Sequence, residues 1–446
     1  MRDDHFNTNQ PNSAEQNTPT TSGDSNGHHH DGGHSGHSHS HSHSGRHHSR
    51  HHRHHRRHSS SHDRKRGIKL STKAKRIIMV TSLAVLLCML ISAVAVDLYF
   101  DFNPMETPNE NVSSDALSVE LINTNAVLIS DGLQRYLAVD LLSPQNESVL
   151  PSQFLKAGEL LAAQNPVSLK FSVKEANVVT YQIEYADNSL FENARIGYAT
   201  PGEGKYTFEH LYANTTYYYR VTAYTTTGVV TKNGQFQTAD TPRILSVDGA
   251  TNLRDIGNWK TDSGKRIKQG LLLRGTELDG AVEPSYHLTN KGVVDMLEVF
   301  GIKTDIDLRA KTPDSKDALG ARVQHNYYDM VMYAEIFTDA GKDKIKAVFT
   351  DLSNPANYPI YLHCTYGRDR TGTVCYLLEA VLGVSRGDCL KEYSLSNCNI
   401  SNILAVEKGL DAYGGSSLKE NAELYLKDCG ITDTQIQTLR QIFLGE

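Results

Sequence analysis

The sequence predicts four parts: an α/β domain over 243–446, with a central mixed sheet flanked by helices, a β-sandwich over 141–239, one transmembrane helix at 77–96 and a disordered tail before it. Three observations carry this reading. Beyond residue 243, apolar runs alternate with helically spaced segments, as when strands and helices share one sheet. Residues 168–238 hold short runs alternating polar and apolar side chains, as half-buried strands do. Residues 77–96 carry no charge at all.

The tail, 1–62, is His, Ser, Gly, Asn and Arg with almost no aliphatic residues. Such a segment buries too little apolar area to offset chain entropy, so disorder is expected for the whole basic stretch 1–76. The His-rich tract at 28–58 reads as a solvated tail with incidental metal affinity, with a metal-buffering tract as the alternative, and its spacing fixes no ligand geometry that would name a metal. The net charge of -6 conceals a basic end. Residues 1–76 hold 13 Lys and Arg against 6 Asp and Glu. As a helix, residues 77–96 span about 30 Å, the thickness of a bilayer core. Lys65, Arg66, Lys69, Lys73, Lys75 and Arg76 precede the span, whereas Asp97, Asp101, Glu106 and Glu110 follow it. The positive-inside rule then puts the N-terminus in the cytoplasm and the C-terminal domain outside. A cleaved signal peptide is the weaker reading, since a charged region of this length is foreign to ordinary signals.

Residues 97–140 read as a stem. From 141 the runs SLKFSV (168–173), TYQIEY (180–185), KYTFEH (205–210), TYYYRVTAY (216–224) and GQFQT (234–238) read as short antiparallel strands of a sandwich. Leu211, and Tyr217 six residues later, resemble the tyrosine corner of a fibronectin type III domain, with Ala213 where that family often has Pro. The resemblance implies an adhesion or spacer module. TADTPR (238–243) reads as a polar linker.

The most informative stretch is His363-Cys364-Thr365-Tyr366-Gly367-Arg368-Asp369-Arg370-Thr371-Gly372. A buried strand, YPIYLHC (358–364), ends on a Cys, five residues follow, and an Arg opens a helix with apolar spacing (370–384). Loop amides and a helix N-terminus can converge on one oxyanion. Arg370 can add a planar two-pronged donor. The same positive field lowers a thiol pKa, giving a thiolate that faces a bound phosphate. A Cys at a strand end is often only a small buried hydrophobe. The His before it, the Gly within the loop and the Thr-Gly after the Arg make coincidence the weaker reading. The six cysteines are too scattered for a disulfide scaffold, and there is no CxxC pair. Cys375, on the helix after the loop, reads as core.

These residues resemble the cysteine-dependent tyrosine phosphatases, signature HCxxGxxR[ST], and best the bacterial branch with an HCxxGKDRTG loop and dual or triple specificity. Thr251–Gly257 (TNLRDIG), LLLRGTEL (271–278), Asp307-Leu308-Arg309 and the closing segment 429–444 resemble that branch too. Arg368 departs from its usual Lys, and Asn258 follows a single Gly in the opening motif. The resemblance implies hydrolysis of phosphotyrosine, extending to phosphoserine, phosphothreonine or phosphoinositides, through a cysteinyl-phosphate. It implies Cys364 as nucleophile, Arg370 with the amides of 365–370 as phosphate binders, and Asp369 as proton donor, with Asp329 the alternative acid. Thr371 would assist the thiolate and His363 would position it. Thr365, Tyr366, Gly367 and Arg368 would line the substrate site. Asp307 and Arg309 would either bind substrate or brace the loop internally. No cofactor or metal is expected, since the thiolate and guanidinium supply what a metal would. No nucleic acid partner is expected. Two other readings stand: a rhodanese-like sulfurtransferase, disfavoured by the Arg370-Thr371 pair, and a surface adhesion or receptor protein with a catalytically idle phosphatase-like domain.

Overall fold

The computed structural model describes residues 114–446, apart from 162–163 and 175–176, and these belong to one compact unit. The basic His-rich tail, the expected membrane helix and the first part of the expected stem lie outside the described residues. Among the described residues, no helix is long and apolar enough to cross a membrane.

The stem expected over 97–140 is corrected where it is described. Strand β1 (Leu117–Ile122) pairs antiparallel with β2 (Ser168–Val173), from Leu117 opposite Val173 to Ile122 opposite Ser168. Its sequence, LSVELI, alternates as any half-buried strand does. Strands β3 (Val178–Ala186), β4 (Arg195–Ala199), β5 (Lys205–Thr207), β6 (Thr216–Thr225) and β7 (Gly228–Gln237) follow. They sort into a three-stranded sheet, β1-β2-β5, and a four-stranded sheet, β4-β3-β6-β7, all antiparallel. Leu117, Leu169 and Phe171 of the first share one apolar core with Tyr181, Ile183, Tyr217, Val221 and Phe236 of the second. The Tyr217 hydroxyl accepts from the Tyr212 amide at 2.8 Å and so pins the turn into β6.

Between β1 and β2 the chain leaves this core. Helix α1 (Asp131–Leu137), capped by the Ser130 side chain, is seven residues long and too short to hold its shape unaided. It packs on the C-terminal domain instead, where Ile129, Leu133, Tyr136 and Leu141 join that domain's core, with Phe154 and Leu161 at its edge. The Tyr136 hydroxyl donates to Ser394, and the Ser152 amide to Asn397 at 3.2 Å. The boundary expected at 141 therefore moves. The small module starts at 117, and residues 129–161 coat the larger domain.

The larger domain has six strands: β8 (Arg243–Ile244), β9 (Arg254–Asp255), β10 (Leu272–Gly275), β11 (Thr304–Asp307), β12 (Gln324–Tyr327) and β13 (Ile360–His363). Their order is β12-β11-β13-β10-β9-β8. The first four in that order run parallel; β9 pairs antiparallel with β10, and β8 antiparallel with β9. This is the mixed sheet the sequence predicts. Alternate residues fill two cores. Leu272, Ile360 and Leu362 point into one, whereas Leu273 and Tyr361 point into the other. Seven helices accompany the sheet: α2 (Asn290–Val294), α3 (Asp339–Leu352), α4 (Asp369–Leu382), α5 (Arg386–Ser394), α6 (Ser401–Asp411), α7 (Leu418–Asp428) and α8 (Asp433–Leu444). Every residue of α4 from Thr371 to Leu382 is buried, so it is the central helix of its layer.

The expected linker is a clamp. Arg243 is buried, pairs with Asp255 at 2.8 Å, donates to the Leu211 carbonyl at 3.0 Å and stacks over the Tyr212 ring. Gln269 exchanges two 2.9 Å hydrogen bonds with the backbone of Ala213.

Candidate active site

β13 is a buried parallel strand, so the loop after it opens at the carboxyl end of the sheet, where α/β folds place ligands. Residues 364–368 form that loop and α4 begins at Asp369. The loop carbonyls are tied back to the scaffold. Thr365 O accepts from Glu277 N at 3.0 Å, and Tyr366 O from Asn252 Nδ2 at 3.0 Å. Gly367 O accepts from Arg274 Nη2 at 2.6 Å and from Asn252 Nδ2 at 3.1 Å. In a trans peptide the N–H points opposite its carbonyl. The amides of 366, 367 and 368 therefore face away from the scaffold, the arrangement of an anion-binding nest at a helix N-terminus.

Gly367 sits at φ +63, and a Cβ there would lie 2.2 Å from the Gly275 carbonyl oxygen. Neither the backbone conformation nor the space admits a side chain. Gly367→Ala is therefore expected to displace the loop by the better part of an ångström. We expect kcat/KM for p-nitrophenyl phosphate to fall about 100-fold, with far-UV circular dichroism unchanged. Wild-type kinetics in this variant would refute the tight packing of loop on strand.

The Cys364 thiol is buried, which by itself pushes its pKa up. The Thr371 hydroxyl and amide, the charge of Arg370 and the Arg368 amide all favour the thiolate and outweigh burial, and the net shift is downward. His363, beside it, accepts no role as a base. Burial disfavours its charge, but Asp305, with an oxygen 3.0 Å from Nε2, and Asp307 outweigh burial and raise it to about 9. It is a cation at neutral pH, wedged under the loop with Nδ1 3.2 Å from the Cys364 carbonyl. Among the described residues the Arg370 guanidinium makes only long contacts, 3.4 Å to Leu308 O and 3.5 Å to Thr365 Oγ1, so its donors are available to a ligand. Arg370 and Thr365 line a cleft of about 220 Å³ with Arg309, Val282 and Thr312.

Asp369 opens α4 and accepts from the Tyr333 hydroxyl, which is itself 2.8 Å from the Tyr393 hydroxyl. Asp329 lies elsewhere in its contacts. Its side chain is 68% exposed and pairs with Lys344 at 3.1 Å. Of the two roles left open for Asp307 and Arg309, their contacts are those of the bracing one. The Arg309 guanidinium is bound by Asp307, Asp279 and Glu277 together, leaving little donor capacity for substrate. Tyr366 and Arg368 point outward, where the Arg368 guanidinium lies over the Tyr366 ring. Cys375 is fully buried and its thiol is pushed up to about 12, as fits a core residue.

Sequence reasoning reads Arg254 as structural but misses Arg274 and Glu392, which complete the loop's anchor. Arg274 and Arg254 both pair with Glu392, at 2.7 Å and 2.6 Å, and all three are buried. Burial pushes Glu392 up, but the two arginines hold it below the usual carboxylate range. An Arg inside the apolar run LLLRG was the available signal, since a charge there must find a buried partner. Tyr333 had no such signal.

Residues 245–445 match the model of the tyrosine phosphatase family. A protein of Cupriavidus necator named as a tyrosine-protein phosphatase is 27% identical over 183 residues, 34% of this chain and 63% of that protein. A tyrosine-protein phosphatase of Nostoc commune is 26% identical over 125 residues, 23% of this chain and 42% of its own length. The chain thus spans less than two thirds of either curated relative. Among solved structures, P. aeruginosa TpbA in complex with pTyr is similar at 18% identity and TM-score 0.25, covering 36% of this chain and 87% of its own. The catalytic domain of the S. cerevisiae PP-IP phosphatase SIW14 is similar at 14% identity and TM-score 0.24, covering 34% and 80%. The family match covers the domain that holds Cys364 and Arg370.

Proposed function

We propose that the chain is a membrane-anchored, cysteine-dependent phosphatase that hydrolyses phosphotyrosine through a cysteinyl-phosphate. One observation carries the reading: Cys364 and Arg370 bracket a loop whose carbonyls at 365, 366 and 367 are bonded back to the scaffold, which turns its amides toward a bound anion. Cys364 attacks phosphorus, and the amides of the loop with Arg370 take up charge on the equatorial oxygens. Asp369 gives its proton to the leaving phenolate, then accepts one from the water that cleaves the thiophosphate. Thr371 stabilises the departing thiolate. The same phosphate site would accept phosphoserine, phosphothreonine or a phosphoinositide head, with lower efficiency where the leaving group is a poorer one.

The test is hydrolysis of p-nitrophenyl phosphate and of a phosphotyrosyl peptide by the full chain in detergent, beside Cys364→Ser. A serine variant as active as wild type would remove the proposed nucleophile. The acid is separated by pH. The true donor works protonated, so its loss removes the basic limb of the profile. We expect Asp369→Asn to flatten that limb and lower kcat about 100-fold, and Asp329→Asn to leave its shape intact. The reverse pattern would assign the role to Asp329.

The uncharged run 77–96 and its basic flank support a single anchor with the N-terminus in the cytoplasm and the catalytic domain outside. Seven antiparallel strands in a three-plus-four arrangement, with the Tyr217 hydroxyl bonded to the backbone before β6, support a fibronectin type III-like spacer. Protease treatment of intact cells should cleave the C-terminal part. Full protection there, with cleavage only after permeabilisation, would reverse the orientation.

A further inference from the structure

A second cavity, of about 400 Å³, borders the same loop as the Arg370 cleft, through Tyr366 and Arg368. Tyr366 and Arg368 form its loop side and Leu253 and Leu395 lie deeper. The outer wall is Leu155 and Leu160, from the excursion between β1 and β2. That wall lies outside the residues matched to the family, so it is supplied by this chain's front part. Two of the boundary residues are large apolar groups left open to water: Leu160 is 73% exposed and Tyr366 44%. The Tyr366 ring meets Tyr286 edge-on at 6.0 Å, which gives the cavity a firm aromatic side. Polar groups share the lining, with Arg254, Thr276 and Ser396 buried among the apolar side chains, and apolar walls with a few convergent polar groups are the usual make-up of a ligand site.

We propose that this cavity receives an apolar side chain that neighbours the phosphotyrosine in a peptide substrate; the proposal rests on the phosphatase reading above. Residues 366 and 368 belong to the loop that would hold the phosphate, so a phosphotyrosine seated there brings its peptide backbone to this rim. Extended chain advances about 3.3 Å per residue, so a side chain one to three positions away reaches the cavity. The volume is at the lower end of ligand pockets, which run about 300–1,000 Å³. That suits one or two side chains rather than the paired acyl chains of a phospholipid, which also lie at the far end of the headgroup from its ring phosphates.

The test uses the full chain in detergent with four substrates: p-nitrophenyl phosphate, two phosphotyrosyl peptides that differ only in Leu or Asp at the flanking positions, and vesicles containing phosphatidylinositol phosphate. We expect kcat/KM to favour the Leu peptide about 10–100-fold, and Leu160→Glu to reduce the preference to about 3-fold or less. Because Leu160 is exposed, Leu160→Glu should keep the thermal midpoint, and Leu155→Ala provides a second, milder variant expected to lower the preference in the same direction. If p-nitrophenyl phosphate is hydrolysed but the peptides are not distinguished, or the preference survives Leu160→Glu, this inference fails and the phosphatase reading stands. If only vesicle turnover responds to Leu160→Glu, the occupant is a lipid chain and the inference is wrong. If nothing is hydrolysed, both fall together.

Discussion

Replacing Cys364 by Ser is expected to lower turnover of p-nitrophenyl phosphate on the order of 10⁴-fold or more, because removal of a covalent nucleophile takes the whole reaction path with it. A hydroxyl in the same place gains little from the surroundings that favour the thiolate, since its own ionisation lies far above neutrality. The wild-type profile carries the complementary prediction. The thiol must be deprotonated to attack, and its pKa lies below the usual value. The acid limb of kcat/KM should therefore fall at lower pH than about 8.5, the ordinary thiol value. Thr371→Val removes the hydroxyl that helps lower the thiol. Its acid limb should move to higher pH, toward the ordinary value. Profiles that superimpose for Thr371→Val and wild type would deny Thr371 that part. Phosphate trapped on position 364 in a rapid quench would show the covalent intermediate directly.

The largest expected loss of stability comes from Glu392→Ala. Its two oxygens serve two buried arginines, Arg254 and Arg274, from opposite sides. Removing the carboxylate leaves both cations in a dry site without their counter-ion, a change that costs about 3–5 kcal/mol. In a domain of this size that corresponds to a thermal midpoint lower by about 6–20 °C. The pH dependence has a definite sign. The folded Glu392 pKa is depressed, so its contribution is present above the unfolded value of about 4.3 and is lost as pH falls through the folded one. Wild type and variant should therefore converge in acid. Glu379, nearby, does not replace it. Burial and the charge of Glu392 push its pKa well up, which disfavours the charged form a replacement counter-ion would need. A midpoint within a degree of wild type at pH 7 would sink this account of the buried cluster. Because Arg274 also holds the Gly367 carbonyl, the variant should lose activity before it unfolds.

What could be read from the sequence was what is local. The Cys364, Gly367, Arg370 and Thr371 pattern fits within ten consecutive residues, so strand end, loop and helix start constrain one another directly. The mixed sheet was legible because β10, β11 and β13 are uninterrupted buried strands between helical segments. The loop's supports were not legible, because they come from afar. Glu392 meets Arg274 across 118 positions, and Tyr333 meets Asp369 across 36. Arg309 shows the limit well. Its motif is local, but its role is decided by Glu277 and Asp279, about thirty positions earlier, which take up its donors. β1 was within reach, since Leu117, Val119 and Leu121 alternate cleanly, but acidic and Asn-rich neighbours masked it.

The front module lends the larger domain part of its covering, and this has a practical and an evolutionary side. Cutting the chain at the Pro242 junction strips away Tyr136, Leu133 and the clamp around Arg243, and opens a greasy scar beside Ser394. Deletion mapping would then report a damaged fragment where it meant to report a minimal catalytic one. For the same reason recombination at that junction yields two misfits, so the two modules should be inherited as a pair.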